Sequence, residues 1–511
     1  MHYAPTRTRM TDAHRCRIDW SRLIVVSLVL GLLAVQAMAE DRPVPLLLIS
    51  IDGFRPDYFD MAETPALDRL MAGGFKAESL HHVFPTKTFP THYSAVTGLH
   101  PGTHGVVANS MWDPRDERRF SLRDRDAVGD GYWYRDGEPI WVTAEKQGLK
   151  AVTYFWPGSE ARIQGIRPTD WKLYSAAVRH GERIEQVLEW MDREGDDRPS
   201  LYTLYFSRVD SLGHRHGPAT EEVLEAVVDV DDHIGRLLDG IEARDGLDNV
   251  HIIVISDHGM TRIDRERYIM LDDYLDLSRV RITDWGPAAQ IWAQRMNVDQ
   301  IMAALEGAHP NMRVWKREDI PARYRFGNHR RVPDVLAEAD LGWMINNRPY
   351  MAAQDRFPLH GMHGWDPAWL EMHGILLARG PAFAPGSRSP AMRSVDLYAL
   401  MTRLLNLQPA PNEGLIRPFL PYLDSNQSIG FEIRQFSCNN DTMEIRAHIA
   451  PNHMGLHIGG RVFVLDRLPI FDGRFFVDEG VYAIIVDTRA MVGIDGEESL
   501  DCIATVAGAG D

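Results

Sequence analysis

Apolar positions in the first part of the chain fall into short continuous runs separated by amphipathic stretches. Pro45–Ile51 (PLLLISI), Leu201–Phe206 (LYTLYF), Val250–Ser256 (VHIIVIS) and Gly374–Ala378 (GILLA) are apolar throughout. Continuous apolarity over so few residues suits strands buried on both faces, as in a parallel sheet. Between them the period lengthens to that of helices. Thr64-Pro65 predicts a capped start with proline in the first turn, and Gly73-Gly74 predicts the stop. Pro218 to about Ala243 reads as a long helix with one charged and one apolar face. Alternation of strands and helices from Pro45 to about Asp424 predicts an α/β fold, a mostly parallel sheet covered by helices on both faces. Trp285 to Pro358 is mixed in character and reads as an inserted subdomain, about 285–358.

After Asp424 the pattern changes. Phe431–Phe436, Glu444–Ile449, Gly460–Leu465 and Phe475–Val486 are short, β-prone and broken by Gly, Asn and Asp. Residues 425–511 therefore read as a small β-rich appendage. At the other end, five arginines precede the apolar run Leu23–Val35, and Ala37-Met38-Ala39 follows it. The run is shorter than the roughly 20 residues of a membrane span, so 1–39 reads as a signal peptide removed after Ala39. The mature chain, from residue 40, would be exported, periplasmic or secreted, with no membrane span. Cys16 leaves with the leader, and Cys438 and Cys502 remain, either paired or free.

The 55 basic and 72 acidic residues give a net charge of −17. A coat for duplex nucleic acid needs the opposite sign, so no duplex partner is expected. Any anionic ligand must be met by local positive charge, from a metal ion or from N–H groups at a helix start.

Acids and histidines cluster where the strands end. Asp52 lies just past the first strand, Asp210 and His214 follow the second, and Asp257-His258 follows the third. Chemistry in an open parallel sheet collects beyond the carboxyl ends of its strands. Taken singly, an Asp after a strand is usually a cap or a solvated turn. Together, an Asp and His four apart, an Asp-His pair and another Asp supply oxygen and nitrogen donors suited to a divalent transition metal. His363 offers a further imidazole, although His360 stands beside it. His81, His82, His92, His100, His104 and His216 read as surface or packing histidines. A nucleophile candidate lies in Pro85-Thr86-Lys87-Thr88-Phe89-Pro90. Pro90 suits the first turn of a helix running towards Gly98, which places Thr88 at an N-terminus favourable to anions. A threonine hydroxyl is a weak nucleophile that needs a metal to hold it as the alkoxide. The alternative is that Thr88 or Thr86 merely caps the helix. Asn109 could donate to a phosphoryl oxygen or shape a turn.

Ile51-Asp52-Gly53-Phe54-Arg55, Pro85-Thr86-Lys87-Thr88-Phe89-Pro90, Asn109-Ser110-Met111, Asp210-x-x-Gly-His214-x-x-Gly217-Pro218, Ser256-Asp257-His258-Gly259-Met260 and His363-Gly364-Trp365-Asp366 occur in this order. The chain thereby resembles the nucleotide pyrophosphatase/phosphodiesterase family of the alkaline phosphatase superfamily, bacterial type, over roughly residues 45–424. The resemblance implies an alkaline-phosphatase-like fold, with 40–424 as the catalytic domain. It implies two zinc ions, one on Asp210, His214 and His363, the other on Asp52, Asp257, His258 and Thr88. It further implies that Thr88 attacks phosphorus to give a threonyl intermediate, with Asn109 and the backbone N–H beside Thr88 holding a phosphoryl oxygen. Phe89, Tyr174 and Tyr205 would stack on the base of a small nucleotide phosphodiester substrate. Thr91, where many relatives have Asn, and Arg208-Val209, in place of the common Glu-Pro, depart from the pattern beside the site. A sulfatase would carry Pro and Arg at the second and fourth positions after its nucleophile, whereas His92 stands fourth after Thr88. Two alternatives are a phosphodiesterase for choline- or lipid-derived esters and a non-catalytic binding protein with 425–511 as its recognition module.

Overall fold

The computed structural model describes residues 42–423, apart from 328 and 355–357, and beyond these a set of backbone strands between 429 and 487. The signal-peptide and Cys502 expectations lie outside the described residues.

Eight strands form the central sheet. Their order across it is Ser387–Ser389, Gly74–Ala77, Leu376–Arg379, His251–Ile255, Leu46–Ile51, Leu201–Phe206, Ala151–Tyr154 and Asp170–Lys172. Leu46–Ile51 lies at the centre, parallel to both Leu201–Phe206 and His251–Ile255. Leu376–Arg379 alone runs against its neighbours, so the fourth apolar run enters the sheet reversed. Successive side chains on a strand point to opposite faces, and the two cores follow that rule. Leu46 and Leu48 join Ile253, Ile255 and Leu376 in one cluster. Leu47, Ile49 and Ile51 join Ile252, Val254 and Leu204 in the other. No face is left for water, which is why these strands read as unbroken apolar runs.

Helices Pro65–Ala72, His180–Met191 and Glu221–Glu242 supply apolar side chains to the second cluster. Helices Thr88–Thr97, Ile140–Lys146 and Leu397–Leu404 supply the first. The start of the Pro65 helix differs from the sequence expectation. Thr64 makes no side-chain cap; Asp231, buried inside the long helix, accepts from the N–H groups of Ala66 and Leu67, both at 2.9 Å. A carboxylate borrowed across a helix–helix contact satisfies the donors that a local hydroxyl was expected to take.

A separate antiparallel sheet, ordered Val280–Asp284, Ala288–Ala293, Val335–Ala339 and Met312–Lys316, carries its own apolar cluster. Beyond the body, six backbone strands are ordered Arg461–Phe463, Met454–Ile458, Ile429–Asn439, Thr442–Ala450, Val481–Asp487 and Phe476–Asp478. No helix among the described residues is long and apolar enough to cross a membrane.

Candidate metal centre

Register brings the first acids together. Ile51 pairs with Phe206 at the ends of parallel strands, and the chain continues with Asp52 N–H donating to Phe206 O and Asp210 N–H to Asp52 O. Gly53 makes this approach possible. Its φ is +71°, and a Cβ there would lie 2.9 Å from the Cα of Asp210. Asp257 and His258 follow the neighbouring strand, and the Gly53 N–H donates to Asp257 Oδ1 at 3.2 Å.

Two triads result, Asp52–Asp257–His258 and Asp210–His214–His363, each with donor atoms within 4.8 Å of one another. They adjoin: the rings of His258 and His363 stack with centroids 3.4 Å apart. All three imidazoles are oriented by backbone carbonyls. Nδ1 of His214 lies 2.8 Å from Gly361 O, that of His258 2.9 Å from Gly259 O, and that of His363 2.8 Å from Thr86 O. A carbonyl only accepts, so each Nδ1 carries a hydrogen, and whenever the ring is neutral the Nε2 lone pair is the one turned inwards.

Those lone pairs meet carboxylate oxygens. His258 Nε2 is 3.0 Å from Asp257 Oδ2 and 3.3 Å from Asp52 Oδ1, and His214 Nε2 is 3.3 Å from Asp210 Oδ1. Asp52 Oδ1, Asp210 Oδ1 and Asp257 Oδ2 are shielded from solvent without a hydrogen-bond partner. Buried unpaired carboxylate oxygens facing imidazole lone pairs cost free energy unless a cation lies between them. The residues therefore fit divalent metal ions. Burial, then the charges of Asp257 and Asp210, push Asp52 well above the ordinary carboxylate range. Burial acts in the same sense on Asp257, but neighbouring His258 and His92 outweigh it and hold that carboxyl low. Burial and the adjacent His258 and His214 rings hold His363 well below the usual imidazole value.

Thr88 is half-buried at the first position of its helix. Neither threonine caps that helix: it has no side-chain cap. Thr88 Oγ1 lies 3.5 Å from His258 Nε2, at the edge of the first triad. Thr86 instead ties two loops together, its hydroxyl donating to Trp365 O and accepting from Gly364 N–H. Asn109 Oδ1 accepts from the Phe89 N–H at 2.9 Å. That N–H, the one following Thr88, therefore orients Asn109, whose NH₂ is left to donate elsewhere.

The aromatic candidates divide. Phe89 is 8% exposed, with its ring edge-on to Phe120 at 5.3 Å. Tyr174 is half-buried and packs edge-on to Phe155 and Tyr205. Tyr205 is 6% exposed and its hydroxyl donates to Asp52 Oδ2, so it is placed to hold a carboxylate of the first triad.

Sequence reasoning passed over His92 as a packing histidine. It is fully buried, accepts from Ser50 at 2.8 Å, donates from Nδ1 to Thr88 O at 2.8 Å and lies 3.3 Å from Asp257. Its place one helical turn after Thr88 was the available signal. Lys87, buried, pairs with Asp284 of the separate sheet and donates to Trp285 O, fixing the turn before Thr88.

A family model described as type I phosphodiesterase / nucleotide pyrophosphatase matches residues 46–366. Human ectonucleotide pyrophosphatase/phosphodiesterase family member 1 is 37% identical over 391 residues, which is 74% of this chain and 42% of that protein. Human family member 5 is 35% identical over 396 residues, covering 77% of this chain and 81% of its own length. Among solved structures, murine ectonucleotide pyrophosphatase / phosphodiesterase 5, in an inactive threonine-to-alanine variant in complex with AMP, matches with a TM-score of 0.71 at 37% identity. That match covers 74% of this chain and 100% of the murine one. The chain thus spans about two fifths of the first relative and most of the second.

Proposed function

The chain belongs to the type I phosphodiesterase / nucleotide pyrophosphatase family, and from that premise we propose that it is an exported di-zinc hydrolase of nucleotide phosphodiester or pyrophosphate bonds. It releases a nucleoside monophosphate. The observation that carries this reading is the uncapped Thr88 hydroxyl beside two triads of buried, unpartnered carboxylate oxygens and inward-turned imidazoles.

Asp210, His214 and His363 would hold one ion, and Asp52, Asp257 and His258, with the Thr88 oxygen, the other. When bound, the pair supplies the charge that keeps Thr88 as the alkoxide and stabilises the attacking and leaving oxygens of an in-line displacement. Thr88 Oγ1 forms a bond to phosphorus while the bond to the leaving oxygen breaks, and the departing group takes up a proton. Water then cleaves the threonyl ester and restores the hydroxyl. Asn109, its carbonyl held by the Phe89 N–H, donates its NH₂ to a phosphoryl oxygen in both steps. Phe89 and Tyr174 contact the base, and Tyr205 packs edge-on against Tyr174 while holding Asp52. Residues 1–39 act as a cleaved leader, leaving Glu40 as the mature N-terminus.

Turnover of a nitrophenyl ester of a nucleoside monophosphate tests the reaction. A chelator should abolish it, and Thr88→Ala should lower kcat by on the order of 10⁴-fold or more, as loss of a covalent nucleophile does. Activity that survives both removes the mechanism. For the base, Phe89→Ala should raise KM for the nucleotide ester roughly tenfold, matching about 1–3 kcal/mol of stacking, and spare bis(nitrophenyl) phosphate. Equal effects on both esters would point to a substrate without a base. Faster hydrolysis of glycerophosphocholine than of nucleotides would then identify the choline-ester reading.

A further inference from the structure

Away from these triads, a third set of donors converges from two helices. His180 opens the helix His180–Met191, and Asp229 and His233 stand one turn apart on Glu221–Glu242. Spacing of four residues places Asp229 and His233 on one helix face. The two helices approach closely, since a Cβ on Gly240 would lie 2.5 Å from Leu188 Cδ1. A donor atom from each of His180, Asp229 and His233 lies within 4.8 Å of the other two, and all three residues are half-buried. His180 Nδ1 is 3.2 Å from Asp229 Oδ2. His233 Nδ1 donates to Asp229 O at 2.6 Å, which leaves its Nε2 with the lone pair. The imidazoles meet edge to face at 5.3 Å, and His180 is seated edge-on to Phe206 at 4.9 Å.

We propose that His180, Asp229 and His233 form a third metal site, for a divalent ion of the zinc class, that staples the His180 helix to the long helix. Two imidazoles and one carboxylate are the donors such ions prefer, and partial exposure leaves a position for water. Arg208, Arg183 and Arg236 lie nearby, Arg236 reaching towards Gly181 beside His180. Arg208 Nε is 3.7 Å from Asp229 Oδ2, too far for a hydrogen bond, and its side chain is 55% exposed, so it yields at small cost. Arg183 is already committed to the carbonyls of Tyr205 and Val178.

The test compares zinc content between full-length chains dialysed against micromolar zinc chloride and analysed by mass spectrometry. His180→Ala/His233→Ala should bind one zinc fewer per chain than the parent and retain nitrophenyl-ester turnover. The difference reads the third site alone, so the proposal stands or falls independently of how many ions the main centre holds. Equal zinc content in the two chains overturns it, the cluster then being an ion-pair network. Should the double variant fail to fold, His233→Gln alone gives the same count, because that side chain is partly exposed and leaves the helix intact. A zinc count in His233→Gln equal to that of the parent would equally overturn the proposal.

Discussion

Tyr205 and Asp52 show how a single hydroxyl separates two roles that sequence alone leaves merged. The family resemblance implies that Tyr205 faces a nucleobase. In the fold its ring is nearly all buried and its OH donates to Asp52 Oδ2, where the other Asp52 oxygen is left for a cation. Tyr205→Phe keeps the ring and removes only the donor. It should weaken zinc binding 10–100-fold, as loss of a hydrogen bond behind a metal ligand does. Saturating zinc should restore turnover of nucleotide and non-nucleotide esters alike. A KM effect confined to nucleotide esters at saturating zinc would instead return Tyr205 to base binding. The triad residues were legible because Asp52 and Asp257-His258 stand directly after apolar runs, Asp210 and His214 lie within eight residues of another, and all fall in short words that carry the family resemblance. Their supports were not. The Ser50–His92 hydrogen bond spans 42 residues, Lys87–Asp284 spans 197 and His363–Thr86 spans 277. No local pattern marks such pairs, because the sheet register and loop packing create them.

Elements long enough to bury a full face were the readable ones. Leu201–Phe206 and the helix Glu221–Glu242 sit within a few residues of their expected spans. Strands of three or four residues such as Asp170–Lys172 carry too few side chains for a period. The direction of Leu376–Arg379 was equally hidden, since apolarity on both faces does not record which way a strand runs. The separate sheet contains a consequence of its own. Glu338, on Val335–Ala339, is wholly buried, and Tyr324 OH lies 3.0 Å from each of its oxygens and 2.9 Å from Asp366 Oδ2. One phenolic hydrogen serves two carboxylates. Burial pushes Glu338 up from 4.5 to about 7; Arg313 and Tyr324 oppose the rise and Asp366 adds to it. Because the folded pKa is the higher one, the folded state keeps a proton that the unfolded chain releases. This stabilisation is full below about pH 4.5 and is lost as pH rises through 7. The shift corresponds to roughly 3 kcal/mol. Urea unfolding at pH 5, 6.5 and 8 should show stability falling with pH in the parent and a flatter profile in Glu338→Gln. Parallel profiles would place the titration elsewhere.

At the scale of the whole molecule, a chain of net charge −17 gathers three aspartates at the ends of its central strands, two of them almost wholly inaccessible. His258 and His92 answer the charge of Asp257, but no lysine or arginine among the described residues is paired with any of the three. Lys87, beside Thr88, is spent on Asp284, and Arg55 on Asp57 and Met260 O. The sheet converges these side chains because Gly53 and the in-register strand ends leave them nowhere else to go, so repulsion among them opposes the same packing that builds the site. Metal ions bound there would relieve that conflict, and folding and metal binding would then be thermodynamically coupled. A ligand that binds only the folded state stabilises it by about 4 kcal/mol at 1,000 times its Kd. For a body of this size that corresponds to a rise in Tm on the order of 5 °C. The measurement belongs in a chain carrying His180→Ala and His233→Ala, so that the main centre alone contributes, and with Thr88→Ala added, so that turnover plays no part. Chelator should lower its Tm and excess zinc should raise it. In Asp52→Asn/Asp257→Asn the share of the response that comes from the first triad should vanish, and the metal-free Tm should equal or exceed that of the metal-free parent because most of the repulsion has gone. A Tm indifferent to zinc in the chain with intact triads would mean that the acids are balanced in some other way.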